Sequence, residues 1–196
     1  MKFHFIRSRK EKFYDPKYSL DCISTVTKKA KRPGFYSDDV ISYQDIVIYL
    51  ADQKFNIDRI EDLANKSIGT FHDAKEHLGL AKVVAKNQLY HEHSGKASQI
   101  VLFYRHRVDI LIMDRYFFAH FRKRVASLVD ITQKLVVKDH IFTERPYKIL
   151  CKKEKVRDDF NLGLGKLRAE GRYEEIIKQY VEEPVKRKNP IPLGGN

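Results

Sequence analysis

The residue best placed to do chemistry is an aspartate at the end of an apolar run. The run is Val108-Asp109-Ile110-Leu111-Ile112-Met113-Asp114. Parallel α/β sheets bind ligands outside the carboxyl ends of their strands. A carboxylate at Asp114 would therefore face a ligand, accept hydrogen bonds from an ammonium group and pair with its charge. The same residue fits the N-cap of a helix starting near Arg115, and the two roles are compatible.

Other chemistry-bearing residues give weaker patterns. His91-Glu92-His93 places two imidazoles at i and i+2, which share a face only on a strand. The sequence places no third ligand beside them, so the stretch reads as a surface loop and no metal is expected. The two cysteines, Cys22 and Cys151, have neither metal-ligand nor redox-motif spacing. Each lies in an apolar, strand-like run, where a buried free thiol is the default. No nucleophile elbow is present, and Gly69-Thr70-Phe71 is not a phosphate loop. The expectation is a protein without catalysis and without a cofactor.

Composition narrows the class. The 196 residues carry a net charge of +12, which suits nucleic acid, anionic lipid or an anionic solute. The basic residues are interspersed with Asp and Glu, however, as on an ordinary solvated surface. Phe117, Phe118 and Phe121, within the basic run Arg115 to Arg124, recur at helical spacing and read as core contacts. Nucleic acid is therefore not an expected partner. No segment approaches the roughly 18 apolar residues that cross a bilayer. Met1 to Lys10 has no apolar stretch or cleavage site, so no export signal is read there.

Strands and helices alternate along the chain. Asp45 to Leu50 is a β-branched run predicted to be a buried strand. Lys66 to Phe71 reads as a strand running into a turn, followed by a helix from Ala74 to Leu78 that Gly79 ends. Ser94 is a candidate cap for a helix from Lys96 to His106. Val108 to Met113, Lys134 to Val137 and Tyr147 to Cys151 are further strands. Asp158 or Asp159 is expected to cap a helix carrying Phe160, Leu164 and Leu167. Gly171 ends it, and a last helix runs to about Glu183. Such alternation predicts parallel α/β sheets covered on both faces.

The order of these segments resembles the bacterial extracellular solute-binding proteins of family 3, the amino-acid receptors of ABC importers. Leu20 to Arg32 followed by Gly34-Phe35-Tyr36-Ser37-Asp38 looks like the family's "T-x-T-x-E-R-A … F-S-x-P-Y" segment. Glu61 to Gly69 looks like its "DL-x-G-K-x-V-G", and Gln99 to Asp114 like its "q-x-L-x-x-G-R-V-D-A-x-x-x-D". Phe160-Asn161 through Tyr180 looks like its closing helices.

The resemblance implies a two-lobed type II periplasmic-binding-protein fold with a small solute bound between the lobes. Lobe one would comprise residues 1–50 and 139–185, lobe two residues 51–138, and residues 186–196 a disordered tail. It implies Asp114 as the acceptor for an amine, with Tyr36, Ser37, Asp38, Thr70, Phe71 and Asp73 around it. It also implies a periplasmic location and an ABC permease as partner. Against the family's usual length, about fifty residues of lobe one would be missing at the N-terminal side. The incomplete lobe would then offer an unpaired sheet edge to a partner chain, including a second copy of this one. Both cysteines would fall in lobe one, which leaves open whether they pair. The family's carboxylate-binding Arg corresponds to Ala30 or Lys29, and its "G-T" to Asp73-Ala74. Lys does not reproduce bidentate carboxylate recognition, and Asp73 adds a negative charge. The expected solute is an amino acid or another amine-bearing molecule. Two other classes fit less well: a dehydratase-like enzyme on the same fold, and a basic module that binds nucleic acid or a partner protein.

Overall fold

The computed structural model describes residues 12–85 and 87–181. The readings of residues 1–10 as lacking a signal and of 186–196 as a disordered tail fall outside them. The chain divides into two compact units, Met1–Tyr43 with Arg145–Glu175, and Gln44–Glu144 with Ile176–Asn196.

The second unit is built on a five-stranded sheet. Its strands are β4 (Asp45–Leu50), β5 (Ile68–Phe71), β6 (Tyr90–His93), β7 (Ile110–Asp114) and β8 (Leu135–Lys138), in the order β6-β5-β7-β4-β8. β5 runs parallel to both β6 and β7, whereas β4 is antiparallel to β7 and β8, so the sheet is mixed and not parallel throughout as the alternation of strands and helices predicted. Short helices α1 (Ala74–His77) and α2 (Ala81–Val84) follow β5. α3 (Lys96–Tyr104) precedes β7, and α4 (Arg115–Arg124) follows it.

The pleat sorts the side chains of β4 and β7 onto two faces. Ile46, Ile48, Leu50, Leu111 and Met113 pack with Ile100, Phe103 and Tyr104 of α3 and Phe118 of α4. Val47, Tyr49, Ile110 and Ile112 pack on the other face with Ile57, Leu63, Ile68, Leu80, Val84 and Phe142. A sheet covered on both faces needs apolar residues at every position. That is why β4 and β7 read as continuous apolar runs rather than alternating ones.

The first unit is smaller and more thinly packed. β9 (Arg145–Cys151) is its central strand. β1 (Cys22–Val26) pairs along one side, and β2 (Phe35–Tyr36) and β3 (Ile41–Tyr43) share the other, all antiparallel. Its buried core is Phe13, Ile23, Val26 and Leu150, with Leu20 and Tyr36 against it. Cys22 and Cys151 stand opposite each other in the β1–β9 register and form a disulfide. The default of buried free thiols is thereby corrected, because strand register brings together residues 129 positions apart. α5 (Glu154–Ala169) packs on β9 and β2, and α6 (Arg172–Val181) follows.

α5 begins at Glu154, with Lys153 as its N-cap residue, not at Asp158 or Asp159. No side-chain cap bond marks this start, and Arg157 binds Glu154 and Asp158 across the first turns instead. α3 starts after Gly95 rather than Ser94. Tyr90 to His93 is an edge strand and not a loop. Among the described residues no helix is long and apolar enough to cross a membrane.

Candidate ligand site

Parallel pairing of β5 with β6 and β7 brings the carboxyl ends of these three strands to one edge of the second unit's sheet. Thr70, Phe71, Asp73 and Asp114 belong to that edge. Tyr36, Ser37 and Asp38 belong to the first unit.

Asp114 closes β7 and caps α4. Its Oδ1 accepts the backbone N–H groups of Tyr116 at 2.9 Å and Phe117 at 3.1 Å. Its Oδ2 accepts the N–H of Gln44 at 2.9 Å. A carboxylate offers about four lone-pair positions, so three are filled by backbone and one remains on Oδ2. The side chain is buried, and burial pushes its pKa above the ordinary value. The three N–H bonds and the charge of Arg115 oppose that rise without cancelling it. A ligand cation would add to the opposing side and favour the ionised form.

The other candidates differ in how free their polar groups are. Thr70 is fully buried and donates its hydroxyl to the Ile112 carbonyl at 3.1 Å, joining β5 to β7. Phe71 is half-buried, edge-on to His77. Ser37 is buried, donating to the Asp38 carbonyl at 2.7 Å and accepting from Ile149 N at 2.9 Å. The Tyr36 hydroxyl accepts the N–H of Arg32 at 2.8 Å. Asp38 is exposed, and its N–H donates to Asn161 Oδ1 at 3.0 Å. Thr70 and Ser37 thus hold the scaffold, while the carboxylates of Asp38 and Asp73 face solvent.

The turn after β5 holds an unexpected arrangement. Asp73 has left-handed backbone geometry (φ 64°) and precedes α1. Its N–H donates to Glu92 Oε2 at 2.8 Å, and the N–H of Lys75 donates to Glu92 Oε1 at 2.9 Å. The Tyr90 hydroxyl adds a third bond to Oε1 at 2.7 Å. Burial tends to raise the Glu92 pKa. The bonds from Tyr90, Lys75, Asp73 and His72 outweigh it and hold the carboxyl below the ordinary range. Desolvation and the same carboxylate push the Tyr90 phenol up. The N–H groups of this turn therefore already hold a carboxylate supplied by the chain itself.

Sequence reasoning missed both Glu92 and Gln99. Glu92 was hidden inside a stretch that reads as a loop. Gln99 is buried and donates Nε2 to the His93 carbonyl at 2.5 Å, while its Oε1 has no hydrogen-bond partner among the described residues. In the sequence Gln99 only opens the stretch from Gln99 to Asp114 that resembles the family's motif, and nothing there marks its amide as buried.

No family model and no curated protein matches the sequence. Solved structures do match the fold. An ancestral cationic amino acid solute-binding protein, AncCDT-1, superposes with a TM-score of 0.64 at 18% identity, over 85% of this chain and 71% of that one. Another structure of it is described as a precursor of cyclohexadienyl dehydratase. A binding component of an ABC transporter from Wolinella succinogenes, complexed with lysine, gives 0.62 at 16% identity, over 85% and 72% of the two chains. The arginine-, lysine-, histidine-binding protein ArtJ from Geobacillus stearothermophilus gives 0.58 at 20%, over 87% and 73%. This chain has the α/β fold of the two-lobed periplasmic solute-binding proteins, and it spans less than three quarters of the length of these three.

Proposed function

We propose that this chain is a solute-binding domain for a small amine-bearing molecule and that it performs no chemistry. One observation carries the reading: Asp114 is a buried carboxylate at the carboxyl end of β7 with one acceptor position unfilled by the described residues. An ammonium or guanidinium donor fits that position in charge and in hydrogen-bond sense. The turn at Asp73 does not favour a ligand carboxylate, because Glu92 occupies its N–H groups. Basic or amine-bearing solutes are therefore preferred over free organic acids. The names of the structural neighbours, several of them binders of cationic amino acids, support the same class.

The disulfide supports a location in an oxidising compartment, since such bonds persist outside the cytosol. An ABC permease would then be the natural partner. The enzyme reading draws its support from the neighbour described as a dehydratase precursor.

A calorimetric titration with arginine, lysine, putrescine and succinate at fixed salt tests the proposal. Binding of at least one cationic solute, weakened at least about tenfold in Asp114→Asn by loss of a charge-assisted bond, is expected. Succinate binding with no response to the cations would overturn it.

A further inference from the structure

Three side chains of the second unit converge, and the solute-binding reading assigns their meeting no role. His72 Nδ1 lies 3.2 Å from Asp73 Oδ1 and 3.7 Å from Glu92 Oε2, and the three ligand atoms all lie within 4.8 Å of one another. We propose that His72, Asp73 and Glu92 form a binding site for a divalent transition-metal ion of the zinc type.

The geometry favours this reading. A tetrahedral ion with bonds of about 2.0–2.1 Å separates its ligand atoms by roughly 3.3 Å. Both His72 contacts are close to that edge length. The third edge closes by rotation of the Asp73 side chain, which is exposed. The donors come from two elements, the turn after β5 and the edge strand β6, so the ion would tie the end of β5 to its neighbour. One imidazole with two carboxylates is a mixed set that suits zinc, cobalt or nickel. Magnesium and calcium prefer all-oxygen ligation.

The surroundings supply what a metal site needs behind its ligands. Glu92 is oriented by the Tyr90 hydroxyl and by two backbone N–H groups, which together leave a lone pair of Oε2 free for the ion. The left-handed backbone at Asp73 turns its carboxylate beside His72. Three protein ligands leave a fourth position for water or for a donor from a bound molecule. His91 and His93 take no part, although their spacing is the one that attracts attention in the sequence.

The test uses the full chain without a histidine tag. Zn²⁺ and Mg²⁺ are titrated calorimetrically in a non-chelating buffer, and Co²⁺ binding is followed by its visible absorbance. The expected result is a single zinc ion bound in preference to magnesium. Affinity should fall more than about tenfold in His72→Ala and in Asp73→Asn, and about tenfold in Tyr90→Phe, which loosens Glu92. His72 and Asp73 are exposed, so their variants should fold, and circular dichroism checks that they do. A double variant at His91 and His93 should bind as the parent does. The proposal is overturned if the parent binds no zinc, if magnesium binds equally well, or if His72→Ala and Asp73→Asn leave zinc affinity unchanged. The site does not depend on the solute reading, which stands or falls on the cation titrations and Asp114.

Discussion

Asp114 accepts the backbone N–H of Gln44 at 2.9 Å across 70 positions of sequence. The Gln44 side chain in turn donates to the carbonyls of Asp139 at 2.6 Å and Phe142 at 3.2 Å. One carboxylate thus joins the entry to β4, the end of β7 and the first turn of α4. Asp114→Ala removes a helix cap, worth about 1 kcal/mol, and strands a part-buried N–H, worth about 1–3 kcal/mol. The expected loss is about 2–4 kcal/mol in denaturant unfolding, with Asn retaining part of it through its side-chain oxygen. A loss well under about 1 kcal/mol would mean that these bonds do not hold the three elements together.

Much of the second unit is legible in the sequence, for a physical reason. β4 and β7 are buried on both faces, so burial wrote them as unbroken apolar runs. The place of Asp114 at the strand end followed from that, as did its fit to the N-cap of α4. β6 was not legible, because an edge strand of Tyr, His, Glu and His carries no apolar pattern. The start of α5 was hidden because it lacks a capping side chain. The Cys22–Cys151 pairing depends on register across a sheet, and no local pattern encodes register between residues so far apart. The meeting of His72 and Asp73 with Glu92 has the same origin: parallel pairing of β5 with β6 sets Thr70 opposite Glu92.

The first unit should lean on its disulfide. Its core has few fully buried side chains, and small cores need cross-links. The bond closes a loop of 129 residues, so replacing both cysteines by serine should cost about 2–5 kcal/mol. Guanidinium unfolding of the parent, the reduced parent and the double variant measures it. Equal midpoints for all three would show that packing alone sustains this unit.

Gly34 should resist substitution. Its φ of +128° suits glycine, and an added Cβ would lie 2.8 Å from the Cys151 carbonyl oxygen and 2.9 Å from Leu150 Cδ1. The carbonyl is backbone in the central strand and cannot swing away. Gly34→Ala should therefore destabilise by about 1–3 kcal/mol, the scale of a strained backbone conformation. Gly79→Ala, at a φ of +70° with open space around it, meets only the milder cost of the left-handed helical region and no collision, so it should lose less stability than Gly34→Ala. If both variants lose the same stability, the close approach at Gly34 costs nothing.

Glu92 and Asp114 should respond to acid with opposite sign. The folded protein holds Glu92 below its ordinary value of 4.5. In acid the unfolded chain therefore binds more protons at this site than the folded one. The contribution of Glu92 is full above about pH 4.5 and is lost as the pH falls through its folded value. Asp114 is raised above its ordinary value of 3.8 because burial penalises its charged form. Protonation there relieves a cost instead of removing a benefit. A pH profile of the parent alone mixes the two, so the informative quantity is the stability difference between the parent and Glu92→Gln. That difference should be largest near neutral pH and shrink as the pH falls below about 4.5 and through the lowered folded value. A difference that is flat across this range would show that Tyr90, Lys75 and Asp73 do not favour the Glu92 carboxylate over its neutral form.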